Sequence, residues 1–151
     1  MFRTALTQLA ALTVPGVVLN ADVDAVPEAL SRGQLPALLV LPIHTEADRL
    51  FSTERGGGFE ALAFANSARS VTYLVNHLLL VAPTASGSGL RSHIPVLINL
   101  IDAYFAALSA NPTLNASLHE PARVRVEPGV FRYGGVQYVG CAFHHQWLLS
   151  S

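Results

Sequence analysis

Lysine is absent from this chain. All nine basic residues are arginines, set against ten acidic ones for a net charge of −1. So near-neutral a balance excludes the broad cationic surface on which sequence-independent nucleic-acid binding depends. Arginine keeps its charge and its fork of donors, which suits interfacial ion pairs. Cysteine occurs once, which excludes an intramolecular disulfide and any multi-cysteine zinc site. Only 13% of residues are charged against 51% hydrophobic, which excludes disorder over most of the length. Long apolar runs are missing too. The N-terminal "MFRTALTQLAALTVPG" is too short and too interrupted by polar residues for a secretory core or a membrane span, and runs such as "LPALLVLPI" are strand-length. The reading is a soluble intracellular protein of one domain, residues 1–151, apolar enough for a partner to cover part of its surface.

What is present reads as a mixture of helices and strands. Leu6, Leu9 and Leu12 make a helical stripe within 4–13, stopped by Pro15 and Gly16. "VPGVVLN" gives a short extended piece, and 21–36 is loop-like with at most one helical turn around 27–30. "ALLVLP", 37–42, is a buried strand closed by proline. Residues 43–58 are polar, end in "RGGG", and read as a mobile loop. "FEALAFAN" is a weak strand.

Residues 70–82 form a strong one, with Val71, Tyr73, Val75, Leu79 and Val81 on one face and Leu74, Leu78 and Leu80 on the other. Apolar residues on both faces mark a central strand covered on both sides. After "PTASGSG" comes the clearest helix, with Leu90, Ile94, Leu97, Ile98, Ile101, Tyr104, Phe105 and Leu108 as its apolar stripe. Ser92 is its expected N-cap, with Pro95 in the first turn. In 122–127 Arg123 and Arg125 alternate with Val124 and Val126, a strand with one wet face. Gly134-Gly135 reads as a tight hairpin turn. The predicted fold class is α+β: a mainly antiparallel sheet packed against one long amphipathic helix and a short N-terminal helix.

The stretch "VGCAFHHQW", 139–147, gathers the only cysteine, the only tryptophan and two adjacent histidines. On a strand, Cys141, His145 and Trp147 share one face while His144 points the other way, so the two histidines cannot chelate one metal. Cys141 and His145 stand about 13 Å apart along the strand, too far for one zinc to bridge with bonds of about 2.0–2.3 Å. A metal would need His77 from another strand in register. The stretch is read as structural, with Cys141 a small buried hydrophobe, His145 packed or interfacial and His144 exposed.

Other motifs lead no further. "GSGLRSH" and "RGGG" lack the lysine of a phosphate loop, no G-x-S-x-G occurs, and Asp102 has no paired carboxylate nearby in sequence. Asp22, Asp24 and Glu28 read as a solvated loop rather than a cation grip. No catalytic residue, metal ligand or cofactor is expected. The interface candidates are Arg55 and Phe59 beside the glycines, and Arg123 and Arg125, which would meet a partner's carboxylates, a nucleic-acid backbone or solvent.

The order of these segments, with "LPALLVLP", "VTYLVNHLLLVAP", one long helix and then "VxVxPGVFxYGG" running into "YxGCxFxxxW", resembles the lambda-type tail terminator and tail-completion proteins of siphophages. The resemblance covers most of the chain. It implies an α+β subunit of a homo-oligomeric, hexameric ring in the virion, assembled in the host cytoplasm. Such a ring caps the tail tube, binding tail tube protein on one side and the head–tail connector of the neck on the other. It implies no enzyme activity, no membrane and no sequence-specific nucleic acid. The alternatives are an adaptor or other minor tail or neck protein that closes no ring, and a small metal enzyme using His77, His144 or His145.

Overall fold

The computed structural model describes residues 1–42, 58–63, 69–87 and 89–150. The chain runs α1 (Phe2–Ala10), β1 (Leu19–Ala21), β2 (Ala37–Leu41), β3 (Gly58–Ala63), β4 (Arg69–Pro83), α2 (Leu90–Ala110), β5 (Arg123–Tyr133) and β6 (Val136–Ser150). The six strands form one sheet in the order β1-β2-β4-β6-β5, with β3 also paired to β4. Every pairing is antiparallel except β1 with β2. This is the expected α+β fold.

β4 is the central strand that its two apolar faces predict. One edge pairs with β6 along most of its length. The other is shared: β2 lies against residues 76–80, with Leu41 opposite Asn76, and β3 lies against 69–74, with Gly58 opposite Leu74. β2 and β3 therefore share one side of β4, and their pairings stop on either side of Val75. The expected mobile loop, 43–58, lies outside the described residues apart from Gly58.

The two faces are covered differently. On one, Val75, Leu79, Leu38, Val40, Cys141, Phe143 and Trp147 pack under Leu6, Leu9, Leu97, Leu100, Tyr104 and Leu108 of the two helices. On the other, Leu78, Leu80, Leu39, Ala142, Phe131 and Tyr138 are roofed not by a helix but by Val26, Leu30 and Leu35 of the chain before β2. Burying side chains of this size is worth roughly 1.5–3 kcal/mol each. The hairpin tip joins that roof, since the Tyr133 hydroxyl donates to the Pro27 carbonyl. The turn is the expected one: Gly134 and Gly135 have φ of 55° and 79°, the left-handed pair of a type I′ turn.

Several expectations are corrected. α1 begins and ends earlier than 4–13, because Leu12 turns back onto the Leu9 carbonyl and leaves the helix. The single helical turn allowed within 21–36 lies not around 27–30 but at Arg32–Gln34, a 3₁₀ turn where Gln34 accepts from the Ser31 N–H. α2 starts before Ser92: Gly89 is the N-cap, and the Ser92 hydroxyl donates back to the Gly89 carbonyl. Pro95 thus falls in the second turn. Leu90, Ile94 and Ile98 of the expected stripe face solvent, while Leu100 enters the core. α2 is also long and apolar enough to cross a membrane by length and composition, which counting only uninterrupted apolar runs misses. Beyond it, Leu114, Asn115 and Ala116 form a left-handed turn with φ of 48°, 55° and 59°. Fully buried Leu114, and the Asn111 side chain accepting from the Asn115 N–H, hold it there.

Candidate functional site

The register places His77 of β4 opposite Phe143, and Val75 opposite His145. His77 and His145 are therefore diagonal neighbours on the helix-covered face, with ring centroids 6.3 Å apart. Tyr104 descends between them from α2, its ring stacked on Phe143 at 3.7 Å. Its hydroxyl lies 2.6 Å from His145 Nε2 and 2.8 Å from His77 Nδ1. Trp147 Nε1 donates to His145 Nδ1 at 3.2 Å. At the far end His77 Nε2 lies 2.9 Å from Asn20 Oδ1, and the Asn20 amide donates to the carbonyls of Leu9 and Leu12 at the end of α1.

The direction of every bond in this ladder follows from its ends. Indole N–H only donates, so His145 Nδ1 accepts, and the neutral ring carries its proton on Nε2. Nε2–H then donates to the Tyr104 oxygen, and Tyr104 O–H donates to His77 Nδ1. His77 Nε2–H donates in turn to Asn20, whose NH2 faces carbonyls that can only accept. Both histidines must be neutral for the chain to close. Burial enforces this: it lowers His77 well below the ordinary imidazole value, with the neighbouring His145 a smaller cause. It lowers His145 to about 3, with His144 the smaller cause, and pushes the Tyr104 phenol well above 10. Cys141, on the same buried face, is pushed up to about 12 mainly by burial, so it carries no thiolate near neutrality.

This ladder is chemistry turned inward. His77 and His145 are 0% and 1% exposed, and all four of their ring nitrogens are occupied by the protein's own groups. It ties both helices to the sheet with side chains from β1, β4, α2 and β6. The sequence singled out the two histidines but missed Asn20, and it read Tyr104 as one more apolar residue on a stripe. The available signal was the hydroxyl itself, since a tyrosine on a buried face needs a partner.

His144 is not exposed as expected. It turns to the opposite face with a side chain only 10% exposed, its Nε2 2.7 Å from Glu127 and its Nδ1 on Asn76. The Asn76 amide nitrogen is buried with no hydrogen-bond partner. Among the described residues, no three histidine, cysteine, aspartate or glutamate side chains cluster as metal ligands. Asp24 is held by Arg3, whose hydrogen bond lowers its carboxyl, and Asp22 accepts from Thr7 at 2.9 Å, so this acidic loop is pinned to α1.

The four interface candidates do not converge. Arg123 opens β5, exposed and 3.3 Å from Glu120, beside a cleft of about 270 Å3 that Thr72 and Gln146 also line. Arg125 is exposed on the same strand face, paired across to His144. Phe59 belongs to β3, opposite Tyr73, on the other side of the sheet. Three strand spacings, about 14 Å, separate β3 from β5. Arg55 lies outside the described residues.

No protein-family model matches the chain. A search of curated proteins returns no match either.

Proposed function

We propose that this chain is a virion assembly protein: one subunit of a homo-oligomeric ring that caps a siphophage tail tube and joins it to the head–tail connector. One observation carries the reading. The sheet ends on its two sides in unlike edges, β5 with its exposed arginines on one and β3 with β1 on the other, and among the described residues β5 and β3 each have a single strand neighbour. A cyclic ring repeats one heterologous contact between two different patches, and an open edge is the part of a sheet that accepts a strand from another chain. The segment order and closing hairpin of the sequence support the reading by resemblance. The hexamer, the tube and the neck come from that resemblance alone, as does a place in the virion after assembly in the host cytoplasm.

The histidine-enzyme reading needs imidazoles that a substrate reaches, and the ladder places His77 and His145 out of reach. An adaptor that closes no ring would use only one of the two edges.

The test is to polymerise a siphophage tail tube protein with and without the chain and measure tube lengths by electron microscopy. The reading expects shorter tubes with added density at one end, and loss of both effects in the Arg123→Glu/Arg125→Glu variant. Tubes of unchanged length with bare ends contradict it.

A further inference from the structure

The N-terminal half of α2 presents four apolar residues to solvent: Leu90, Ile94, Val96 and Ile98 are 49%, 44%, 45% and 49% exposed. At 100° per residue, Arg91, Pro95, Ile98 and Asp102 fall on one outward line, opposite the side on which Leu97, Leu100 and Tyr104 enter the core. All four are exposed. Arg91 and Asp102 stand about 16 Å apart along the axis at 1.5 Å per residue. Neither has an ion-pair partner among the described residues.

This line is complementary to itself. Turned end for end about a two-fold axis between residues 96 and 97, it places Arg91 opposite Asp102, Pro95 opposite Ile98, and the same pairs again in reverse. We propose that α2 pairs antiparallel with α2 of a second copy of this chain, with Ile98 and Pro95 at the centre and two reciprocal Arg91–Asp102 ion pairs at the ends. Two charges of opposite sign, unpaired among the described residues and set at the two ends of a line whose middle is exposed Pro95 and Ile98, are what selects a second copy as the occupant. A bilayer surface fits poorly, since helices that lie in the interface carry cationic polar flanks, whereas here Asp102 would enter the apolar layer. The proposal goes beyond the ring reading and does not rest on it. An isologous contact uses one patch twice, so it joins two copies and cannot by itself close a ring.

Sedimentation velocity on the full chain over a concentration series tests it. The wild type should show a monomer–dimer equilibrium, and Ile98→Asp, at an exposed position, should shift it to monomer while circular dichroism is unchanged. Arg91→Asp and Asp102→Arg should each weaken pairing about tenfold by replacing two attractions with repulsions. The double swap Arg91→Asp/Asp102→Arg should restore it. Dimers that persist in Ile98→Asp, a double swap no better than the singles, or a wild type monomeric throughout would each overturn the proposal. Tube capping that survives in Ile98→Asp while dimers vanish would confirm that pairing and capping use separate surfaces.

Discussion

The hydroxyl of Tyr104 accepts from His145 at 2.6 Å and donates to His77 at 2.8 Å, so one oxygen on α2 satisfies two imidazoles on neighbouring strands. Removing it leaves a buried N–H without an acceptor and a buried nitrogen without a donor. Each such group costs about 1–3 kcal/mol. Tyr104→Phe, which keeps the stacking on Phe143, should therefore lose roughly 2–6 kcal/mol in urea denaturation. A loss below about 1 kcal/mol would mean that the ladder does not hold α2 to the sheet.

The same ladder makes stability depend on pH. Unfolded, each imidazole takes up a proton near 6.5, whereas folded His145 does so only at about 3 and His77 is likewise lowered. Between those values the unfolded chain holds the extra protons. Stability is thus fully present above pH 6.5 and falls as pH drops towards 3, by up to about 1.4 kcal/mol per unit for each histidine. At pH 5 that amounts to about 2 kcal/mol for His145, with His77 acting in the same direction. The Asp24 carboxyl, lowered from 3.8, begins to release its contribution only as pH falls to about 4. Unfolding curves from pH 7.5 to 4.5 should show the slope, and a flat profile would contradict neutral buried histidines.

Gly140 faces β4 so closely that a Cβ there would lie 2.0 Å from the Leu79 carbonyl oxygen, beside the bulge where the β4–β6 register shifts. Backbone cannot yield as a side-chain tip does, so Gly140→Ala should destabilise by more than 3 kcal/mol or leave the chain insoluble. At Gly129 the nearest atoms to a Cβ are the Phe131 ring at 3.8 Å, an ordinary contact. Gly129→Ala should stay within about 0.5 kcal/mol of wild type, or gain slightly.

Ala116 offers the opposite case. It is exposed with φ of 59°, in a region that costs a residue bearing a Cβ about 1–2 kcal/mol. Ala116→Gly should raise stability by about 0.5–1 kcal/mol, an unusual gain for a glycine substitution. A loss of similar size would show that the left-handed turn is not strained.

The fold was legible wherever a local pattern had one solution. Two apolar faces made 70–82 a central strand, alternating Arg123, Val124, Arg125 and Val126 gave a strand with one wet face, and Gly134-Gly135 left little but a type I′ hairpin. In the cysteine and histidine stretch alternation alone sufficed: His144 and His145 do point apart. What sequence could not supply was register. Only the pairing of β4 with β6 brings His77 diagonal to His145, and only the docking of α2 turns Tyr104 into their shared partner. The helix stripe failed for a related reason. Periodicity gives a helix's apolar residues but not which way the helix is rolled onto the sheet, so Ile94 and Ile98 were assigned to a core that Leu97 and Leu100 fill instead.

The exposed apolar residues of α2 and the open sheet edges carry both proposals, in which this chain meets other copies of itself. Light scattering on the purified full chain during size exclusion, run over a wide concentration series, tests this self-association most directly. The account predicts a mass above the 16.1 kDa of one chain that rises with concentration towards whole multiples. A mass of 16.1 kDa at every concentration would contradict it.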